Sequence, residues 1–192
     1  MSFVALYDAV QKIPGKISTK WLRDRAIELS DFTRVREQWS GVIDPQYIQG
    51  FFIEGPLEPP VRLDEHEALI TLARSVGLDK PRRRFVYTKE LMHLFDTAEE
   101  KADTPEKFDA QAERFGDPTA PTSSQFKAEL KAFWRAVVVL CQEERRLEYK
   151  AALNLGTTSL PVVATALQIP AVYARHLFRD EYPAILAHIQ QP

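Results

Sequence analysis

The longest uninterrupted apolar run in the chain, Ala136 to Cys141, is only six residues. A membrane-spanning helix needs about 20. The remaining apolar residues are dispersed at helical or strand spacing among charged ones, so the chain has to bury one face of each of many short elements. At 192 residues it is long enough to build one such core. A net charge of −2 argues against broad electrostatic attraction to nucleic acid or anionic lipid. The chain opens with no basic segment leading into an apolar stretch, so no signal peptide is expected. Its single cysteine, Cys141, has no internal disulfide partner and is expected to be a buried small hydrophobe. Together these features predict a cytoplasmic protein.

The periodicity predicts an α+β fold: a mostly helical single domain with a small sheet of two or three strands. Residues 1–45 are expected as an N-terminal helical segment packed on a domain of residues 46–192. Ser18 or Thr19 suits an N-cap for a helix through Leu22, Ala26 and Leu29. The segment 47–55, YIQGFFIEG, reads as a strand bounded by Gly and Pro. ALITLA, 68–73, fits either a strand or a helix turn by periodicity, and the basic loop that follows through Lys80–Arg84 favours a strand. A helix is expected over Phe85–Thr97. Thr104, Pro105 and Gly116 punctuate another helix, and a polar loop spans Asp117–Ser124. One long helix is expected from Phe126 to about Leu153, with Phe126, Leu130, Phe133, Val137 and Cys141 on its buried side. Short helices are expected at Leu160–Leu167 and Pro170–Phe178, with a last piece at Pro183–Ile189. Trp21, Trp39 and Trp134 read as core or interface anchors.

The chemically suggestive stretch is Lys89-Glu90-Leu91-Met92-His93. It is one residue from the zinc-protease pattern His-Glu-x-x-His, in which two histidines four apart on a helix reach one metal and the glutamate activates its bound water. Lysine at the first position offers three donors and no lone pair. Glu-x-x-His also arises by chance on ordinary amphipathic helices.

The longer string RRFVYTKELMHLFD resembles the active-site helix of the ImmA/IrrE family of metallopeptidases, in which Arg-Phe precedes His-Glu-Leu-x-His-Leu. Arg84, Phe85, Glu90, Leu91, His93 and Leu94 match. The family's next helix carries Glu-Ala-x-x-Phe-Ala, whose glutamate is the third zinc ligand, and Gln111 to Gly116 is the corresponding stretch here. The tail VVATALQIPAVYARHLF is similar to the family's short helices after the site. The resemblance implies a zincin-like active-site helix whose zinc centre has degenerated: Lys89 replaces the first histidine and Gln111 the glutamate. It leaves Glu90 and His93 as vestigial catalytic residues and His93 as the surviving ligand. The Lys89 ammonium is then expected to stand in for the metal, near Gln111 and the acids Glu90 or Glu113, with no cofactor bound. Family members act on or alongside helix–turn–helix repressors of phage, mobile elements or stress responses. Binding of a protein or peptide partner, rather than cleavage, is therefore expected. An active zinc peptidase with an altered ligand set is one alternative. The other is a DNA-binding regulator reading nucleic acid through residues 159–179, where Tyr173, Arg175, His176 and Arg179 would decorate the second helix of a helix–turn–helix.

Overall fold

A computed structural model describes residues 2–101 and 124–191. The described residues form eight α-helices and a three-stranded sheet, an α+β arrangement. In chain order these are α1 (Phe3–Gln11), α2 (Thr19–Glu28), β1 (Arg34–Ser40), β2 (Gly50–Glu54), β3 (Glu67–Ala73), α3 (Lys80–Leu91), α4 (Ser124–Val139), α5 (Glu143–Asn154), α6 (Leu160–Leu167), α7 (Ala171–Ala174) and α8 (Tyr182–Ile189). No helix among the described residues is long and apolar enough to cross a membrane. The helix expected after Thr104 and most of the loop after Asp117 lie outside the described residues.

The sheet order is β1-β3-β2, with β1 parallel and β2 antiparallel to β3. Central β3 is buried from Ala68 to Ala73, which explains its near-continuous apolar sequence. The segment 1–45, expected to be helical, thus contributes a strand. Val35 is the only fully buried residue of β1, and the rest of the strand is polar or half-buried. A charged strand of this kind is what a sheet edge tolerates. Gln38 Nε2 donates to Thr71 Oγ1 at 2.9 Å and the Arg36 guanidinium to the Arg62 carbonyl at 2.7 Å, tying this edge down.

Helix α2 begins where expected, with Ser18 Oγ accepting from the Trp21 backbone N–H at 3.0 Å. Helix α3 begins earlier than expected. Lys80–Arg84 is no loop: Asp79 accepts from the Arg82 N–H at 3.2 Å and Pro81 sits in the first turn, a strong helix start. The helix also ends earlier, at Leu91, and continues as a 3-10 turn over Met92–Phe95. His93 therefore lies in the tighter turn and not on the α-helix proper. Beneath α3, Phe85 stacks on Tyr173 with ring centroids 4.1 Å apart and meets Phe133 edge-on at 5.4 Å.

The long helix expected from Phe126 is two helices. The chain leaves helical geometry at Gln142, which is extended (φ −62°, ψ 147°). Gln142 Nε2 donates to the carbonyls of Ile13 (3.0 Å) and Gly15 (2.6 Å), and the Glu143 N–H donates to Gln11 Oε1 at 2.7 Å. The break is thus fixed by partners from the N-terminal segment. Leu130, expected on the buried side of α4, is 53% exposed. The buried surface instead runs through the small residues Ala128, Ala132 and Ala136 and then the whole stretch Val137–Cys141. Cys141 is fully buried as expected, and burial pushes its thiol up to about 12. Trp134 is buried, while Trp21 and Trp39 cover the core in part.

Replacing Gln142 with Ala removes two hydrogen bonds that tie the α4–α5 break to the N-terminal segment. Gln142→Ala is expected to lower the free energy of unfolding by about 2 kcal/mol in urea titrations. A change below about 0.5 kcal/mol would show that the break between α4 and α5 does not depend on this side chain.

Candidate functional site

The last turn of α3 and the 3-10 turn after it carry Lys89, Glu90, His93 and Asp96, and α4 lays Glu129 and Arg135 across them. Lys89 Nζ donates to Glu90 Oε1 at 3.0 Å and makes a second, closer ion pair with Glu129 Oε2. The other Glu129 oxygen lies 3.5 Å from His93 Nε2, and Glu90 Oε2 lies 3.7 Å from the same nitrogen. On the far side of the ring, His93 Nδ1 bonds Asp96 Oδ2 at 2.6 Å. Asp96 in turn accepts from Arg135 Nη1 at 3.1 Å. The result is a continuous chain of alternating charge, Glu90–Lys89–Glu129···His93–Asp96–Arg135, that cross-links α3 to α4.

This network is buried at its inner members and half-buried at Lys89 and Glu129, whose side chains are 19% and 29% exposed. Glu90 is 2% exposed, and the side chains of Asp96 and Arg135 are each 4% exposed. Burial by itself would depress the Lys89 ammonium, but the Glu90 and Glu129 carboxylates override it and hold the lysine above its ordinary range. His93 follows the same logic. Burial disfavours its imidazolium and Lys89 repels it, yet the hydrogen bond and charge of Asp96, with Glu129 beyond, raise its pKa above the ordinary value. With His93 protonated, the six groups comprise three cations and three anions, which is the neutral state a buried cluster favours. His93 Nε2 itself has no hydrogen-bond partner. Its ring rests against Phe52 of β2, centroids 5.8 Å apart.

The sequence singles out Lys89, Glu90 and His93, and the structure brings these three together. Gln111 and Glu113 lie outside the described residues. Three members were not anticipated: Glu129, Asp96 and Arg135. Two of them leave a trace in sequence. Asp96 stands three residues after His93, and Glu129 precedes Phe133 by four, the same spacing that links Gln111 to Phe115. Arg135 leaves none, because it sits beside the six-residue apolar run and looks like its flank.

These residues do not fit a catalytic zinc ion. Such a site needs three protein ligands and an open position. Among the described residues, His93 Nε2 and the Glu129 carboxylate face the relevant space, but Lys89 fills it with a proton-bearing ammonium that already engages Glu129 and Glu90. The buried Glu90 carboxylate is likewise committed to the lysine.

The tail does not form a regular reading helix. Helix α7 has four residues and passes into a 3-10 turn over Arg175–Phe178. Tyr173 stacks on Phe85, and His176 meets Trp134 edge-on at 5.3 Å, so both turn toward the core and away from any groove. Arg175 is exposed, and Arg179 is paired with Glu181 at 3.2 Å.

Two measurements probe the network. Lys89→Met leaves buried Glu90 and half-buried Glu129 without their cation and is expected to cost about 3 kcal/mol of stability. The double variant Lys89→Met/Glu129→Gln should recover part of that loss in a double-mutant cycle, and strict additivity would show the pair is uncoupled. For His93, the folded pKa lies above the unfolded value, so its contribution to stability is complete below about pH 6.5 and fades as pH rises through the folded value. An imidazole nitrogen NMR titration should place the His93 midpoint above about 6.5, and a midpoint below it would contradict the Asp96 pairing.

The chain matches no family model, no curated protein and no solved structure.

Proposed function

We propose that the protein is a metal-free, non-hydrolytic relative of the ImmA/IrrE-type metallopeptidases that works by holding a protein or peptide partner. The observation that carries this reading is the position of the Lys89 ammonium. It lies between the glutamate that would activate water, Glu90, and a carboxylate from the facing helix, Glu129, with the His93 ring alongside. The cation supplies the positive charge a metal would bring and keeps the pocket electrostatically balanced. It cannot bind and acidify a water molecule as a Lewis acid does.

The binding half of the proposal draws support from the sheet. Strand β2 pairs with β3 on one side only among the described residues, and its Phe52 abuts the charged cluster. An extended peptide added along that edge would use backbone hydrogen bonds for affinity and lay alternate side chains toward Lys89 and His93 for selectivity. A regulator segment of the helix–turn–helix class is the partner the family resemblance suggests.

The test is metal loading. Wild-type protein exposed to zinc and then dialysed is expected to retain none at stoichiometric level by elemental analysis. Lys89→His restores a second imidazole opposite His93 with Glu129 facing both, and is expected to retain about one zinc per chain. Stoichiometric zinc in the wild type, lost on His93→Ala, would overturn the proposal and make the protein a peptidase with an altered ligand set.

A further inference from the structure

A separate feature lies at the N-terminal ends of α2 and α3. A cavity of about 380 Å³ opens there, lined by six basic residues, Lys16, Lys20, Arg23, Lys80, Arg83 and Arg84, against one acid, Glu37. The chain as a whole carries net charge −2, so this concentration of cations is local. Asp24 pairs with two of the six, Lys20 at 2.6 Å and Arg23 at 3.0 Å, and offsets one of their two charges. The others have no carboxylate partner among the described residues: Lys16 is bonded to the neutral Gln168 side chain, and the Arg83 guanidinium sits 5.5 Å above the Trp39 ring.

Arg84 is the decisive member. It is 8% exposed, and neither Nε nor Nη2 has a hydrogen-bond partner. Those two nitrogens form one edge of the guanidinium, the edge whose parallel N–H bonds match a pair of oxygens on an oxyanion. Burial is the sole cause that pushes this guanidinium down to about 10, which means that no nearby acid counteracts it. A buried cation without a counter-ion is unfavourable by several kcal/mol, and a folded chain tolerates it where a ligand completes the site. Helices α2 and α3 add the positive ends of their dipoles through Ser18, Thr19 and Lys80.

We infer that this cavity is a binding site for a phosphate group, free or as the monoester of a small molecule, with Arg84 as its buried anchor. The surplus of cations over acids suits a dianion, and a half-open recess of about 380 Å³ is of a size for a small ligand. The site is independent of the charged cluster around Lys89 and does not rest on the peptide-binding reading.

Calorimetric titration with inorganic phosphate and with glycerol 3-phosphate, each against sodium chloride of equal ionic strength, tests this. Wild type should bind at least one of the two where chloride produces no saturable heat, and tighter binding of the ester identifies a small organic phosphate as the source. Arg84→Met should weaken binding by at least about tenfold, the scale of a lost pair of charge-assisted hydrogen bonds. The same variant should melt no lower than wild type without phosphate, because it removes an unpaired buried charge. Lys16→Ser and Lys80→Ser, at exposed positions, should each weaken binding by about threefold and keep the inference testable if Arg84→Met fails to fold. Phosphate behaving like chloride, or full affinity in all three variants, would overturn it.

Discussion

The ammonium of Lys89, clamped between Glu90 on its own helix and Glu129 on the next, is the interaction on which the centre of this molecule depends. Helices α3 and α4 cross through a mostly apolar core, where an unpaired acid is costly. The lysine makes the buried Glu90 and half-buried Glu129 carboxylates tolerable there, and Arg135 does the same for Asp96 from the other end. His93 sits between the two cations and completes the alternation. The cluster is therefore both a joint between helices and a shaped pocket of fixed charge. One interior network of this kind sets the relative position of two elements more narrowly than apolar contacts do, because it tolerates few rearrangements.

The same physics accounts for the difference between the two charged regions. Around Lys89 every cation finds an acid, and the charges balance. Around Arg84 the cations outnumber the acids and one guanidinium is buried with an unpartnered edge. The first arrangement balances its charges internally, and the second, on the phosphate reading proposed above, is balanced by an anion from solution. Their separation along α3 is short, Arg84 to Lys89, yet they face different neighbours: β1, α2 and the N-terminal ends of helices in one case, α4 in the other.

Much of the fold was legible in the sequence where local signals act alone. Ser18 caps a helix because its hydroxyl reaches a backbone N–H three residues on, and the helix over Leu160–Leu167 opens with Pro161 in its first turn. The errors have a common cause in distant partners. Strand β1 is polar and was read with the helical N-terminal segment, since its strand character comes from pairing with β3 and not from apolar alternation. The α4–α5 break is set by acceptors more than a hundred residues away. Lys80–Arg84 looked like a solvated loop because five consecutive polar or proline residues mask the Asp79 cap that starts the helix. In the site, the motif exposed Lys89, Glu90 and His93, but Glu129 and Arg135 come from another helix, and only the fold brings them in.

The bridge from the α4–α5 break to the N-terminal segment has a consequence for biosynthesis. Gln142 is separated by 129 residues from Ile13, whose carbonyl it holds. At ribosomal speeds of about 5–20 residues per second, the first helix emerges several seconds before its anchor is made. During that interval Phe3, Leu6, Tyr7 and Val10, all buried in the finished protein, have only partial cover. The nascent polypeptide thus presents a greasy ribbon early and closes it late, an interval in which chaperones have something to grip.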